Sequence, residues 1–247
     1  MKNSRSLRVV SASVKGAAHS HLKQPCQDYS LYKSGKNFVA VVSDGAGSAK
    51  FGKIGARIVC ETLCDLLKNA KFSDMKENVR RALKVAREKL ICHRFNKYKS
   101  EKGIADFAAT VVGVVYNKNQ GMFFHIGDGA AIALKGNCSN FVASRPENGD
   151  FACETFFFTQ QAWCENLRLT FFEDASSIFL MSDGLTNFSF SKDYKEIEQG
   201  FIAPIDSFLT QEKNKTKATK ALANTLNMPK AQRINSDDKT LVWIKVS

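Results

Sequence analysis

The chain has 247 residues, of which 44% are apolar, and this is enough to bury a substantial core. No apolar run approaches the ~20 residues that span a bilayer, and residues 1–8 are polar and basic with no apolar stretch behind them, so the sequence predicts a cytoplasmic protein with no membrane partner. Seven cysteines, an odd number without a CxxC pair or zinc spacing, argue against a disulfide framework or a zinc site and predict reduced, mostly buried thiols.

A formal charge of +12 raises the question of nucleic acid. Between 76 and 102 there are ten Lys or Arg against three Glu, a surplus of +7. Apolar Met75, Val79, Leu83, Ala86 and Leu90 recur through this stretch at steps of three and four, so the charge belongs to the outer face of an amphipathic helix. With no RNA- or DNA-binding motif beside it, no nucleic-acid partner is expected.

In chain order, short apolar or β-branched runs predict strands over 7–14, 38–43, 109–116, 122–126, 130–134, 168–172, 178–182 and 241–246. Helical periodicity predicts helices over 54–69, 74–97, 192–208 and 215–226, and the polar stretch 144–166 reads as a long loop or flap. Helices grouped in pairs between groups of strands point to an α+β fold, antiparallel sheets covered by helices, in one domain over 1–247. A monomer is the default.

The acids fall at strand ends. Asp44 ends FVAVVSD and is followed by GAGSAKFG, Asp183 ends SIFLMSD before glycine, and Asp128 lies in GDG after MFFHI. Asp237 and Asp238 precede the last strand, and Asp28 lies in PCQDY. One Asp-Gly after a strand is an ordinary turn. Repetition at the ends of buried strands is costly, because converging anions repel and lose hydration, and cations are the usual remedy. Oxygen donors without clustered His or Cys select Mg²⁺ or Mn²⁺, and two such ions ~3.5–4 Å apart can activate a water for attack on phosphorus.

The ordered motifs CQD, SDGAGS, FAATVVGVV with FFHIGDGAAIAL, IFLMSDGLTNF and DDKTLVWIKV span 26–246 and resemble those of the protein phosphatase 2C (PPM) family. The opening GxxHSHxKQPCQD and the DDKTL ending resemble its small stand-alone bacterial branch. The resemblance implies a four-layer αββα sandwich with a metal cleft at one end between the sheets. It implies a serine/threonine phosphatase acting on phosphorylated proteins by direct attack of a water bridging two Mn²⁺ or Mg²⁺ ions. Asp44 matches the bridging carboxylate, the Gly45 carbonyl a ligand of the second ion, and Asp183 and Asp237 the remaining ligands of the first. Asp28 matches a position that acts through water, and Asp128 that of a third, weaker ion.

Gln27 stands where the family usually has Glu, a neutral amide that can still offer an oxygen, and Asp238 where it has Asn, so Asp238 competes with Asp237 for the ligand role. Ala46 replaces the His of animal relatives, and with no Arg before the opening motif, Lys23 and His21 are the candidate phosphate contacts. His19 and His21 are expected on either side of an extended segment, and His125 is read as structural. Gln27 and Ala46 together leave open an alternative, a catalytically weak or inactive binding module of the same fold.

Overall fold

The computed structural model describes residues 7–98, 103–147 and 155–246. Its elements are β1 (Leu7–Val14), α1 (Ala17–His21), β2 (Tyr29–Ser34), β3 (Phe38–Ser43), α2 (Gly52–Leu67), α3 (Met75–Tyr98), β4 (Val111–Asn117), β5 (Gln120–Ile126), β6 (Ala130–Lys135) and β7 (Asn137–Ser144). They continue with β8 (Arg168–Glu173), β9 (Ser177–Met181), α4 (Thr186–Ser189), α5 (Gln199–Gln211), α6 (Lys215–Leu226), α7 (Pro229–Ile234) and β10 (Lys239–Val246). The strands form two five-stranded sheets, β1-β10-β9-β6-β7 and β2-β3-β4-β5-β8. Every pairing within them is antiparallel.

β3 explains why its sequence is a continuous apolar run. Successive side chains point to opposite faces of a strand. Val39 and Val41 pack on the helix side against Val59, Leu63, Val79 and Leu83 of α2 and α3. Ala40 and Val42 face the other sheet, where Leu180, Val242 and Ile244 meet them. The second sheet repeats the arrangement: Ile132, Phe179, Leu241 and Trp243 pack outward on Ile202, Leu209 and Leu222 of α5 and α6. Helices, sheet, sheet, helices is therefore the layer order, the αββα sandwich expected. Each fully buried Val, Leu or Ile contributes about 1.5–3 kcal/mol to holding it.

The amphipathic reading of α3 is correct over its described part: Met75, Val79, Leu83, Ala86 and Leu90 are buried while Lys76, Arg80 and Lys84 face outward. Residues 99–102 of the basic stretch lie outside the described residues. Two edge strands, β2 and β7, were not anticipated. Each has one exposed flank and a half-polar sequence, YSLYKS and NCSNFVAS, without an apolar run to mark it. α5 begins at Gln199 instead of 192, because 191–197 form a turn closed by the Phe190–Ile197 bridge. Of the six cysteines described, all free, only Cys60 and Cys64 are buried; Cys92 and Cys164 are exposed, on the outer face of α3 and at the end of the short 3-10 helix Gln161–Cys164. The expectation of mostly buried thiols is thereby corrected.

Of the long loop expected over 144–166, residues 148–154 lie outside the described residues. Its second part is packed. Phe158 is wholly buried, its N–H donates to Ala109 O at 3.2 Å, and Arg87 of α3 donates to the carbonyls of Phe158 and Gln160 at 2.6 and 2.8 Å.

Candidate metal centre

Strand register brings the acids to one end of the sandwich. Tyr29 pairs with Ser43, so Asp28 and Asp44, one residue beyond each, lie side by side at the edge of one sheet. In the other sheet Met181 pairs with both Leu241 and Ala130, which brings Asp183 beside the 237–240 segment and the turn carrying Asp128. Ser182 ties the two sheets together: its hydroxyl donates to Asp28 Oδ2 at 2.7 Å and accepts from Thr240 N at 3.0 Å.

The backbone around these acids is held closely. Asp44 N donates to Thr110 Oγ1 at 3.0 Å, and Asp44 O accepts from Thr110 N at 2.8 Å. The next residue must be glycine, because a Cβ on Gly45 would lie 2.3 Å from the Gly52 carbonyl carbon at the start of α2. Gly184 is equally confined, with Asp238 O 2.0 Å from where its Cβ would stand. These two contacts give a packing reason for glycine after Asp44 and Asp183.

Asp238 is almost wholly buried, at 1% exposure, and both its oxygens are occupied. Oδ1 accepts from Gly16 N at 2.7 Å, and Oδ2 meets His19 Nδ1 at 2.8 Å and Gln27 N at 2.6 Å. Asp237 faces the other acids, with Oδ1 accepting from Asp238 N at 2.8 Å. Lys239, fully buried, donates from Nζ to Asn235 O and Asp237 O at 2.6 and 2.8 Å, clamping the loop that carries Asp237. Thr155 holds Asp128 through a 2.7 Å bond to Oδ2.

The electrostatics record the convergence. Burial pushes the Asp28 carboxyl up to about 6, and the hydrogen bond from Ser182 pulls against this. Burial holds Asp44 well above the usual carboxylate range, and the charges of Asp28, Asp183 and Asp237 add to it. Asp183 is raised by burial and then by Asp128, Asp237 and Asp28, and Asp128 by burial first and more weakly by Asp237.

The sequence matches the family profile of Protein phosphatase 2C over residues 15–227. The chain belongs to the protein phosphatase 2C family. It is 26% identical over 250 residues to serine/threonine-protein phosphatase 3 of Escherichia coli (strain K12), covering 96% of this chain and 97% of that protein. Among solved structures, Stp1 from Staphylococcus aureus superposes with a TM-score of 0.69 at 14% identity, covering 98% of this chain and 96% of the other. The catalytic domain of the phosphatase PstP, in complex with two manganese ions, superposes with a TM-score of 0.64 at 16% identity, covering 97% and 98%. At these identities the structural likeness establishes the fold.

In this phosphatase 2C chain the donor set fits hard divalent cations. All the converging groups are oxygens, and Asp28 Oδ1 and Asp183 Oδ1 are buried with no hydrogen-bond partner, which is costly unless a cation meets them. Among the described residues no three His, Cys, Asp or Glu side chains stand ready-made around an ion.

Several expectations need revision. Gln27 Oε1 accepts from Lys53 N at 3.0 Å, so this amide oxygen is committed to the first turn of α2 and does not join the acids. His19 and His21 lie on the short helix α1, not on an extended segment, and point differently: His19 is buried on Asp238, while His21 is exposed. Lys23, at φ 57°, is also exposed. No described hydrogen bond or ion pair links His21 or Lys23 to the carboxylates. His125 is structural as read, wholly buried with Nδ1 2.9 Å from Ser144 Oγ. The parts that sequence reasoning missed are the supporting ones, Ser182, Thr155, Lys239 and the fastening role of Asp238; of these, only the Asp-Asp doublet left a signal.

Proposed function

We propose that this chain hydrolyses phosphoserine and phosphothreonine esters in proteins, as a metal-dependent phosphatase working with two Mn²⁺ or Mg²⁺ ions. The observation that carries the reading is the convergence of Asp28, Asp44, Asp183 and Asp237 from both sheets, with two buried carboxylate oxygens left unpartnered. Asp44, the Gly45 carbonyl, Asp183 and Asp237 would hold the two ions, with Asp28 acting through water and Asp128 holding a third, weaker one. Asp237 is preferred to Asp238 because both oxygens of Asp238 already serve the 16–27 segment. When bound, such ions activate water as a nucleophile and offset charge on the phosphoryl oxygens.

The chain's own residues provide the rest. Ser182, itself held by Thr240 N, fixes Asp28, Lys239 fixes the loop of Asp237, and Thr155 fixes Asp128. His21 and Lys23, both exposed beside the opening motif, are the contacts for outer phosphoryl oxygens. Among the described residues the thiol nearest in sequence to the acids is Cys26, and covalent catalysis by it is disfavoured. Burial pushes Cys26 far up, and the charges of Asp28 and Asp238 push it further, so it does not form the thiolate a nucleophile needs.

The test is phosphate release from p-nitrophenyl phosphate and from a phosphothreonine peptide with Mn²⁺, with Mg²⁺ and with EDTA, for wild type, Asp44→Asn and Asp183→Asn. Turnover that needs the metal and falls at least ~10³-fold in both variants is expected. Folded, metal-loaded wild type that releases no phosphate would sink the proposal.

A further inference from the structure

We propose that the cleft beside the carboxylates is a subsite for an acidic side chain flanking the phosphorylated residue of the substrate. The inference rests on the phosphatase reading and adds a substrate class to it.

The cleft has a volume of about 420 Å³, and its walls include Gln24, Gln27, Gly47, Ser48, Lys50 and Lys53. It adjoins the acids through two covalent links: Gln27 precedes Asp28, and Gly47 follows the Asp44-Gly45 ligand pair by two residues. Gln27 also fixes the floor, since its N–H holds Asp238 and its side-chain oxygen accepts from Lys53 N. A phosphorylated residue seated on the carboxylates would therefore run its neighbours over this wall.

The charge of the cleft is of one sign. No Asp or Glu lines it, and Lys50 and Lys53 are both exposed. Some cations elsewhere have acidic partners: Lys33 and Lys68 share Asp65, Arg94 meets Asp106, Arg168 meets Glu147 and Lys245 meets Asp206. Among the described residues Lys50 and Lys53 have no such partner; Lys50 lies 5.3 Å from the centre of the Phe51 ring, a contact that leaves its charge available. Exposed Lys23, next to Gln24, adds a third cation at the rim. Two unmatched ammonium groups in a concave site select an anion, and on a peptide already anchored by its phosphate that anion is a nearby Asp or Glu carboxylate.

The experiment compares phosphothreonine peptides that are identical except for Glu or Ala at the three positions on each side, with p-nitrophenyl phosphate as a substrate too small to reach the cleft. Wild type and Lys50→Glu/Lys53→Glu are measured at saturating Mn²⁺ and low salt. The wild type should favour the Glu peptide about fivefold in kcat/KM, the size expected of two exposed ion pairs. The double variant should reverse the preference while hydrolysing p-nitrophenyl phosphate within about twofold of wild type. Equal kcat/KM for the two peptides in wild type, or a preference untouched by the double substitution, overturns the subsite. Loss of p-nitrophenyl phosphate hydrolysis in folded, Mn²⁺-loaded wild type would instead overturn the phosphatase reading, and the subsite with it.

Discussion

The backbone N–H of Gln27 donates to Asp238 Oδ2 at 2.6 Å, joining segments 211 residues apart. Gly16 and His19 bond the same carboxylate, so the segment leading to Asp28 is laid onto the loop that carries Asp237. The second acid of the doublet is a fastener, and the geometry of the first depends on it.

Asp238→Ala therefore leaves two backbone donors and one imidazole nitrogen without a partner in a nearly sealed site. Unmade buried hydrogen bonds cost about 1–3 kcal/mol each, so a loss of about 3 kcal/mol is expected, or roughly 10 °C in Tm for a chain of this size. Asp238→Asn keeps one acceptor oxygen and should fall between. Thermal unfolding in the presence of EDTA decides it; an Ala variant melting with wild type would show that the three bonds stabilise nothing.

Lys239 supplies the only positive charge buried among the acids in the described residues. Burial pushes its pKa down, and Asp237 and Asp238 hold it up, so its ammonium is stabilised by the carboxylates it faces. Lys239→Met removes both the clamp on Asn235 and Asp237 and this charge. The metal-free variant should lose about 2 kcal/mol. Added Mn²⁺ should recover part of that loss, because the ion restores positive charge at the same place. The rise in Tm on adding Mn²⁺ should thus be larger in Lys239→Met than in wild type; an equal or smaller rise would refute the electrostatic half of the argument.

The layers were legible because both faces of each central strand are covered, which turns β3, β4 and β9 into unbroken apolar runs. Edge strands β2 and β7 were not, since burial on one side only leaves a mixed pattern without a strong period. The acids were legible as strand-ending Asp-Gly pairs, while their convergence depends on the register of pairs such as Tyr29–Ser43 and Leu241–Met181, which no local pattern specifies. Ser182 and Lys239 looked like any serine and lysine next to an aspartate. Their roles come from contacts across the sheets and within a loop whose shape only the fold determines.

Arg87 shows how the segment after the undescribed residues is fixed. It donates to two carbonyls of that segment and stands 5.8 Å from the Trp163 ring. The same segment supplies Thr155 to Asp128. Arg87→Ala should cost about 1–2 kcal/mol and speed hydrogen exchange at the Phe158 amide by roughly tenfold, with β4 amides unaffected. Unchanged exchange at Phe158 would show that its own burial is sufficient.

The raised carboxyls make the metal-free protein sensitive to pH in a direction opposite to ordinary acid denaturation. Asp28 has an ordinary value of 3.8 and is pushed up to about 6 by burial, so between these values the folded state binds more protons than the unfolded one. Stability in EDTA should then fall as pH rises through this window, with Asp44 and Asp183, also raised, extending the fall to higher pH. His125 works against this: burial holds its ring neutral, a contribution lost as pH drops below its usual 6.5. Comparing wild type with Asp28→Asn cancels the histidine. The asparagine keeps the acceptor for Ser182 and carries no charge, so in EDTA the variant should be the more stable at pH 7.5 and should lose that advantage near pH 4. With Mn²⁺ the order at pH 7.5 should invert, because the wild-type carboxylate then faces a cation. A variant no more stable than wild type in EDTA at pH 7.5 would mean that Asp28 carries no strain for a metal to relieve.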